Sequence, residues 1–355
     1  MRKQIELIRL FNIPIKLDLS WFIIAAFISW TLALGYFPAK YPELNRATCW
    51  IMGISSALLL FISVLLHELS HSLLAKKNNI PIRGITLFIF GGVAEMVQEP
   101  PTAKSEIKMA VAGPICSGIL ALFFFILSSL FTNFFPYLPI LGILKYCFFI
   151  NLVLMIFNLL PGFPLDGGRI LRAVIWNYSG DIKKATYTAS RIGSSMGLFM
   201  IIWGFFNIFR GNFIGGLWLA FIGLFLKSAA EAGYQQIVTG TLLQGIKISE
   251  IMTRNLVTIE DSLPLDKLVH DYLLKYRYNN YPVIRKGVFV GIVSIHDVKQ
   301  IPRKEWNNVT VGKILDSKIL DSCLSPDDDA THAIATMSRE GLGRIPVLDN
   351  GKLAG

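Results

Sequence analysis

Six runs of about twenty mostly apolar residues occupy the first two thirds of this chain, and they constrain its fold more than any other feature. A helix needs about 20 such residues to cross the hydrocarbon of a bilayer, and the runs fall at approximately residues 19–37, 49–75, 107–131, 141–160, 190–209 and 213–230. Charge bears this out: 16% of the 355 residues are charged, against about 25% in soluble domains. The deficit is confined to residues 19–232, and beyond Lys247 the balance is that of an ordinary soluble domain. The reading is a helical polytopic membrane domain at residues 1–235, a linker at 236–246, and a soluble α/β region from 247.

An even number of spans puts both termini on one side, and Lys and Arg choose the side. Arg2, Lys3, Arg9 and Lys16 precede the first run. Lys76, Lys77, Arg83, Lys104 and Lys108 lie between the second and third, and Arg169, Arg172, Lys183, Lys184 and Arg191 between the fourth and fifth. The opposite loops offer Lys40, Arg46 and Arg210, with none around Pro136 and Pro139. Both termini of an integral cell-membrane protein are thus expected in the cytoplasm. The net charge of +10 is loop charge, because no basic patch interleaved with aromatics marks a nucleic-acid surface. Cys49, Cys116, Cys147 and Cys323 are widely spaced without a C-x-x-C pair, which excludes a thiolate metal site or a disulfide framework. No small-residue cleavage site follows the first run, so it reads as a retained span.

Two segments read as strands. Residues 12–19 (N-I-P-I-K-L-D-L) alternate apolar and polar side chains. Residues 80–97 are rich in β-branched and aromatic residues, with a turn signal at Gly91-Gly92. They predict a small membrane-associated sheet on the cytoplasmic side, with an edge that can take an extended peptide by strand addition.

Chemistry concentrates in the second run, at V-L-L-H-E-L-S-H. His67 and His71 are four residues apart and share one helix face, so both imidazoles reach a single metal. Glu68, one residue on, sits beside that metal, where a general base for water belongs. Ionisable residues at the centre of a span cost about 3 kcal/mol each, which argues against idle placement. A catalytic zinc takes three protein ligands and leaves one position open. Glu95 is one candidate for the third ligand. The stronger is Asp166 in N-L-L-P-G-F-P-L-D-G-G-R, where Pro161 and Pro164 break the end of the fourth run. Broken backbone at membrane depth persists only where it is buried in protein or lines a wet cavity.

His67-Glu68-Leu69-Ser70-His71 together with Asn158-Leu159-Leu160-Pro161-Gly162-Phe163-Pro164-Leu165-Asp166-Gly167 resembles the site-2 protease family of intramembrane zinc metalloproteases. Ala112-Gly113-Pro114-x-x-Ser117 resembles a further family segment, in which small residues allow close helix packing. The resemblance covers roughly residues 12–232. It implies one Zn2+ held by His67, His71 and Asp166, with Glu68 as catalytic acid/base and Asn158 beside the oxyanion. It also implies membrane-spanning protein substrates, cut in regulated proteolysis. No PDZ-like insert interrupts the chain, which therefore resembles the branch carrying a C-terminal CBS region.

The soluble region repeats itself. Ile248-Ser-Glu-Ile-Met recurs as Val311-Gly-Lys-Ile-Leu, and Tyr281-Pro-Val-Ile as Ile345-Pro-Val-Leu, a period of about 64 residues. The copies, residues 247–303 and 309–355, resemble tandem CBS modules. That resemblance implies an adenine nucleotide at the tail, with Ser294 on phosphate and Asp297 on ribose, and pairing into a homodimer through the modules. The second copy reaches Gly355 before its equivalent of the Ser294–Asp297 segment and reads as incomplete. Two other functions fit parts of the chain: a CBS-regulated transporter, and a metal sensor without catalysis. A transporter with repeated halves calls for a second broken span in a matching position, and none is evident. A sensor has no use for Glu68.

Overall fold

Asp18 starts the first span. Its carboxylate accepts from the Ser20 N–H at 2.9 Å and the Ser20 hydroxyl at 2.6 Å, satisfying donors that a helix N-terminus leaves free. In the computed structural model, which describes residues 4–96, 99–134, 139–243, 245–340 and 342–355, this helix is α1 (Leu19–Lys40). Asn45 caps α2 (Arg46–Lys77) in the same way, accepting from the Thr48 N–H at 2.8 Å. α3 (Ala103–Phe134), α4 (Pro139–Asn158), α6 (Ile182–Phe209) and α7 (Phe213–Leu242) supply the other four membrane-length helices. All six expected spans are therefore helices long and apolar enough to cross a bilayer. Arg2, Lys3, Val97 and Pro136, used in the sequence reading, lie outside the described residues.

The structure adds a helix the sequence reading did not separate. α4 ends at Asn158, residues 159–165 turn irregularly, and Asp166 opens α5 (Asp166–Ser179). Asp166 is thus the first residue of a new amphipathic helix and not the end of the fourth span. The reason is local: Pro161 and Pro164 cannot donate to a helical ladder, whereas nothing after Leu165 prevents one. At the other end of the membrane domain, α7 continues to Leu242, so residues 236–242, read as linker, are helical.

The expected sheet has four strands, ordered β1 (Gln4–Leu10), β2 (Ile13–Asp18), β3 (Ile82–Phe88) and β4 (Gly91–Met96). β2 runs parallel to β3, and the other pairs are antiparallel. The alternation in β2 buries Ile13, Ile15 and Leu17. These join Ile85 and Leu87 of β3 against Val64 and Leu69 of α2, the stretch that carries His67 and Glu68. β1, which the sequence reading missed, leaves Ile5, Leu7 and Ile8 exposed, so its apolar residues mark no core face. The turn joining β3 and β4 is Ile89-Phe90, and Gly91-Gly92 are the first residues of β4. Gly91 leaves the turn with a φ of +129°, where glycine is favoured, whereas Gly92 answers to a neighbouring side chain.

The chain divides at Val238/Thr239 into two units. In the second, β5 (Ile259–Glu260), β6 (Asn280–Arg285) and β7 (Val288–Ser294) form one sheet, followed by α8 (Ile295–Lys299). β8 (Leu348–Asp349) and β9 (Lys352–Leu353) form a smaller one after α9 (Ala330–Glu340). The leading segments of the two repeats are exchanged. Val311, which opens the second copy, completes the core around Val283 and Val293 of the first, and Ile248, which opens the first, packs with Leu324 and Val347 of the second. Neither copy closes its core alone.

The seam between the sheet and α2 should dominate the stability of the membrane domain. Ile85→Ala, at a position with no exposure, is expected to cost about 2–5 kcal/mol. Ile5→Ala, 47% exposed on β1, should stay within about 0.5 kcal/mol. Thermal unfolding in detergent measures both.

Candidate metal centre

His67 and His71 leave one face of α2 and converge. Their Nε2 atoms are 3.2 Å apart, and Asp166 Oδ2 lies 3.1 Å from the first and 3.2 Å from the second. Among the described residues these three form the group able to hold a metal ion; His67, at 3% exposure, and Asp166, at 9%, are buried, and His71 is partly buried. A tetrahedral zinc with ligands at about 2.0–2.1 Å separates neighbouring donors by roughly 3.3 Å, so the triangle has the size zinc requires. The donor set of two imidazoles and a carboxylate also suits zinc and leaves a fourth position.

Each imidazole is aimed by a partner on α3. His71 Nδ1 donates to the Met109 carbonyl at 2.7 Å, and His67 Nδ1 lies 2.9 Å from the Ser117 hydroxyl. A carbonyl only accepts, so the proton belongs on Nδ1 of His71, and the neutral ring presents its Nε2 lone pair to the site. Gly113, between these two partners, lets α3 approach: a Cβ there would collide with both imidazoles. Burial pushes the Asp166 carboxyl up, but hydrogen bonds to His67 and His71 outweigh it and hold Asp166 below the usual carboxylate range.

Glu68 is half-buried beside this triangle. It lies against β4, where a Cβ on Gly92 would come within 2.5 Å of its Cγ, so the glycine makes room for the carboxylate. Glu95, the alternative third ligand, instead accepts from the Thr86 hydroxyl at 3.2 Å on the hairpin. Asn158 donates through Nδ2 to the Leu154 carbonyl, one turn back in its own helix, at 3.0 Å. In the second unit, Ser294 and Asp297 form a capping box at the start of α8: the Asp297 carboxylate accepts from the Ser294 N–H at 2.9 Å and hydroxyl at 2.6 Å. Ser294 also lines a cleft of about 370 Å³ with Asn279, Asn280, His296 and Lys299. The sequence reading missed Met109, whose contribution is a main-chain carbonyl and leaves no trace in residue type. It took Ser117 for packing only, although its spacing of four from Gly113 puts both on one face of α3.

Known proteins resemble this chain over most of its length. The profile of peptidase family M50 matches residues 55–138 and 136–203, and that of the CBS domain residues 248–303 and 311–355. A zinc metalloprotease of Methanocaldococcus jannaschii is 32% identical over 358 residues, covering 100% of this chain and 94% of the relative. A Synechocystis relative, whose name calls it a candidate zinc metalloprotease, is 34% identical over 317 residues, 89% of this chain and 82% of its own. A solved site-2 protease from Methanocaldococcus jannaschii is 32% identical, covers 65% of this chain and 95% of its own, and superposes with a TM-score of 0.47.

Metal content of purified protein should separate the candidate ligands. Asp166→Ala and Gly113→Ala are both expected to lower bound zinc at least about tenfold, the second by crowding the imidazoles from the partner helix. Glu95→Ala should leave it unchanged.

Proposed function

The chain belongs to peptidase family M50, the family of the site-2 proteases, and is a membrane-integral zinc metalloprotease; from that premise we propose that it hydrolyses peptide bonds of membrane-spanning proteins, with His67, His71 and Asp166 as metal ligands and Glu68 as acid/base. The observation that carries this reading is the convergence of the three ligand atoms within α2 and α5, with a carboxylate one residue from the first histidine.

A zinc ion held there supplies Lewis-acid activation of water and of the scissile carbonyl. The residues of this chain do the rest. Glu68 takes a proton from the attacking water and delivers it to the leaving amine nitrogen. Ser117 and the Met109 carbonyl keep both imidazoles in place through the cycle. β4 is the end strand of its sheet, and Gly92 on it adjoins Glu68. A substrate helix unwound into an extended strand and paired to that edge would run past the base. Asn158 has a second Nδ2 hydrogen beyond the one given to the Leu154 carbonyl, and that donor would serve an oxyanion.

The Lys and Arg content of the loops supports cytoplasmic termini, so a cut on this side would release a cytoplasmic fragment, the outcome expected of regulated proteolysis. An adenine nucleotide is the proposed regulator. The cleft beside Ser294, with Lys299 on its wall, supports a phosphate contact, and Asp297, whose capping contacts use Oδ2, would accept from a ribose through Oδ1. A second copy of the chain would pair through the same modules. Family membership sets the transporter alternative aside, and Glu68 beside the open metal position argues against a sensor.

Glu68→Gln should keep full zinc content and lose about a hundred- to ten-thousand-fold in cleavage of a single-span substrate in detergent or vesicles. Undiminished cleavage by that variant would refute the assignment of Glu68. Absence of cleavage by the parent protein across single-span substrates would refute proteolysis within the bilayer.

A further inference from the structure

Asp166 stands at the first residue of a 14-residue helix that is cut off from α4 by the irregular segment 159–165. Helical continuity therefore cannot hold its carboxylate against the imidazoles, yet a metal ligand must be held to about 0.5 Å. Something else locates α5. Arg172, almost two turns into α5, is 2% exposed and points its guanidinium at Glu106, which is 1% exposed. Its Nε donates to Glu106 Oε1 at 2.6 Å, and Nη2 contacts the same oxygen. Nη2 also donates to Glu99 Oε2 at 2.9 Å, and the guanidinium lies over the Phe163 ring at 5.4 Å. One side chain thus engages the start of α3, the segment ahead of it and the irregular turn ahead of Asp166.

Glu106 is the only carboxylate in the sequence of α3, and its position there is informative. Glu106, Met109, Gly113 and Ser117 are spaced three, four and four apart, which places them on one helix face, and all four are buried. The last three orient or accommodate the histidines, as described above. The first grips the helix that carries the third ligand. A single rigid face of α3 therefore registers both halves of the metal site.

We propose that Arg172 and Glu106 are positioning residues whose buried ion pair sets where Asp166 stands relative to His67 and His71, and thereby sets the zinc affinity. The inference rests on the reading of that triangle as the zinc site. Arginine suits the task because its planar fork fixes direction as well as charge. Glu99, whose side chain is 44% exposed, is the weaker partner, since solvent screens it.

Arg172→Gln alone would leave Glu106 buried without a partner and threaten the fold. The informative variants are therefore Arg172→Lys, which keeps the charge but loses the fork, and the double variant Arg172→Gln/Glu106→Gln, which removes both charges together. Zinc affinity is measured by chelator competition on detergent-purified protein without substrate, so the result does not depend on whether proteolysis is detected. Both variants are expected to bind zinc about 10- to 100-fold more weakly, and to recover cleavage within a few-fold of the parent at saturating zinc. Glu99→Gln should weaken binding less than either. The decisive arm is a cycle with Asp166→Ala: once the third ligand is gone, Arg172→Lys should change zinc affinity by less than about twofold. Parental zinc affinity in Arg172→Lys and the double variant would overturn the proposal. So would an undiminished effect of Arg172→Lys in the Asp166→Ala background, because Arg172 would then act through the fold at large and not through Asp166.

Discussion

Two imidazole nitrogens and a carboxylate oxygen within 3.2 Å of one another, inside a helix bundle of low dielectric, repel through their lone pairs unless a positive charge lies among them. The arrangement of the membrane domain follows from holding that cluster together. Helix α2 supplies two of the atoms at a spacing of four, which puts them on a common face. A separate short helix supplies the third, because a continuous fourth span would have carried Asp166 onward along its own axis. The proline-rich turn at residues 159–165 is the bend that brings it back.

Holding ligands in place takes more than ligands. Helix α3 contributes none, yet it aims both imidazoles through Met109 and Ser117 and, at Gly113, comes close enough to do so. The sheet presses on α2 from another side through Ile13, Ile15, Ile85 and Leu69, and Gly92 leaves room for Glu68. Support on both flanks limits the freedom of the stretch of α2 that carries His67, Glu68 and His71, the preorganisation that the proposed metal site requires. The exchanged leading segments of the second unit reflect the same constraint in a soluble setting: a repeat too small to close its own core borrows an apolar residue from its neighbour.

Residue type and spacing alone made His67, Glu68 and His71 legible, because H-E-x-x-H specifies geometry on any helix and polar groups in an apolar run have few innocent explanations. Asp166 was legible as a carboxylate on broken backbone, though the sequence reading placed it at the end of a span instead of the start of α5. The second strand announced itself by alternation at Ile13, Ile15 and Leu17. The first did not, since its apolar residues face outward. The turn signal at Gly91-Gly92 holds for Gly91, whose φ of +129° favours glycine, whereas the pressure on Gly92 comes from Glu68, distant in sequence.

What the sequence by itself determined, then, is whatever depends on local periodicity and transfer energy: six spans, the helix face bearing the histidines, the repeat in the tail. Those properties are set by neighbours along the chain and by solvent, so they can be read one segment at a time. The tertiary structure alone decided which carboxylate meets the histidines and which main-chain carbonyl orients His71. It also paired Arg172 with Glu106 across 66 residues of chain, and assigned each repeat's leading segment to the other's core. Each of these is a contact between distant segments, fixed by how helices and strands pack, and short-range pattern carries no information about it.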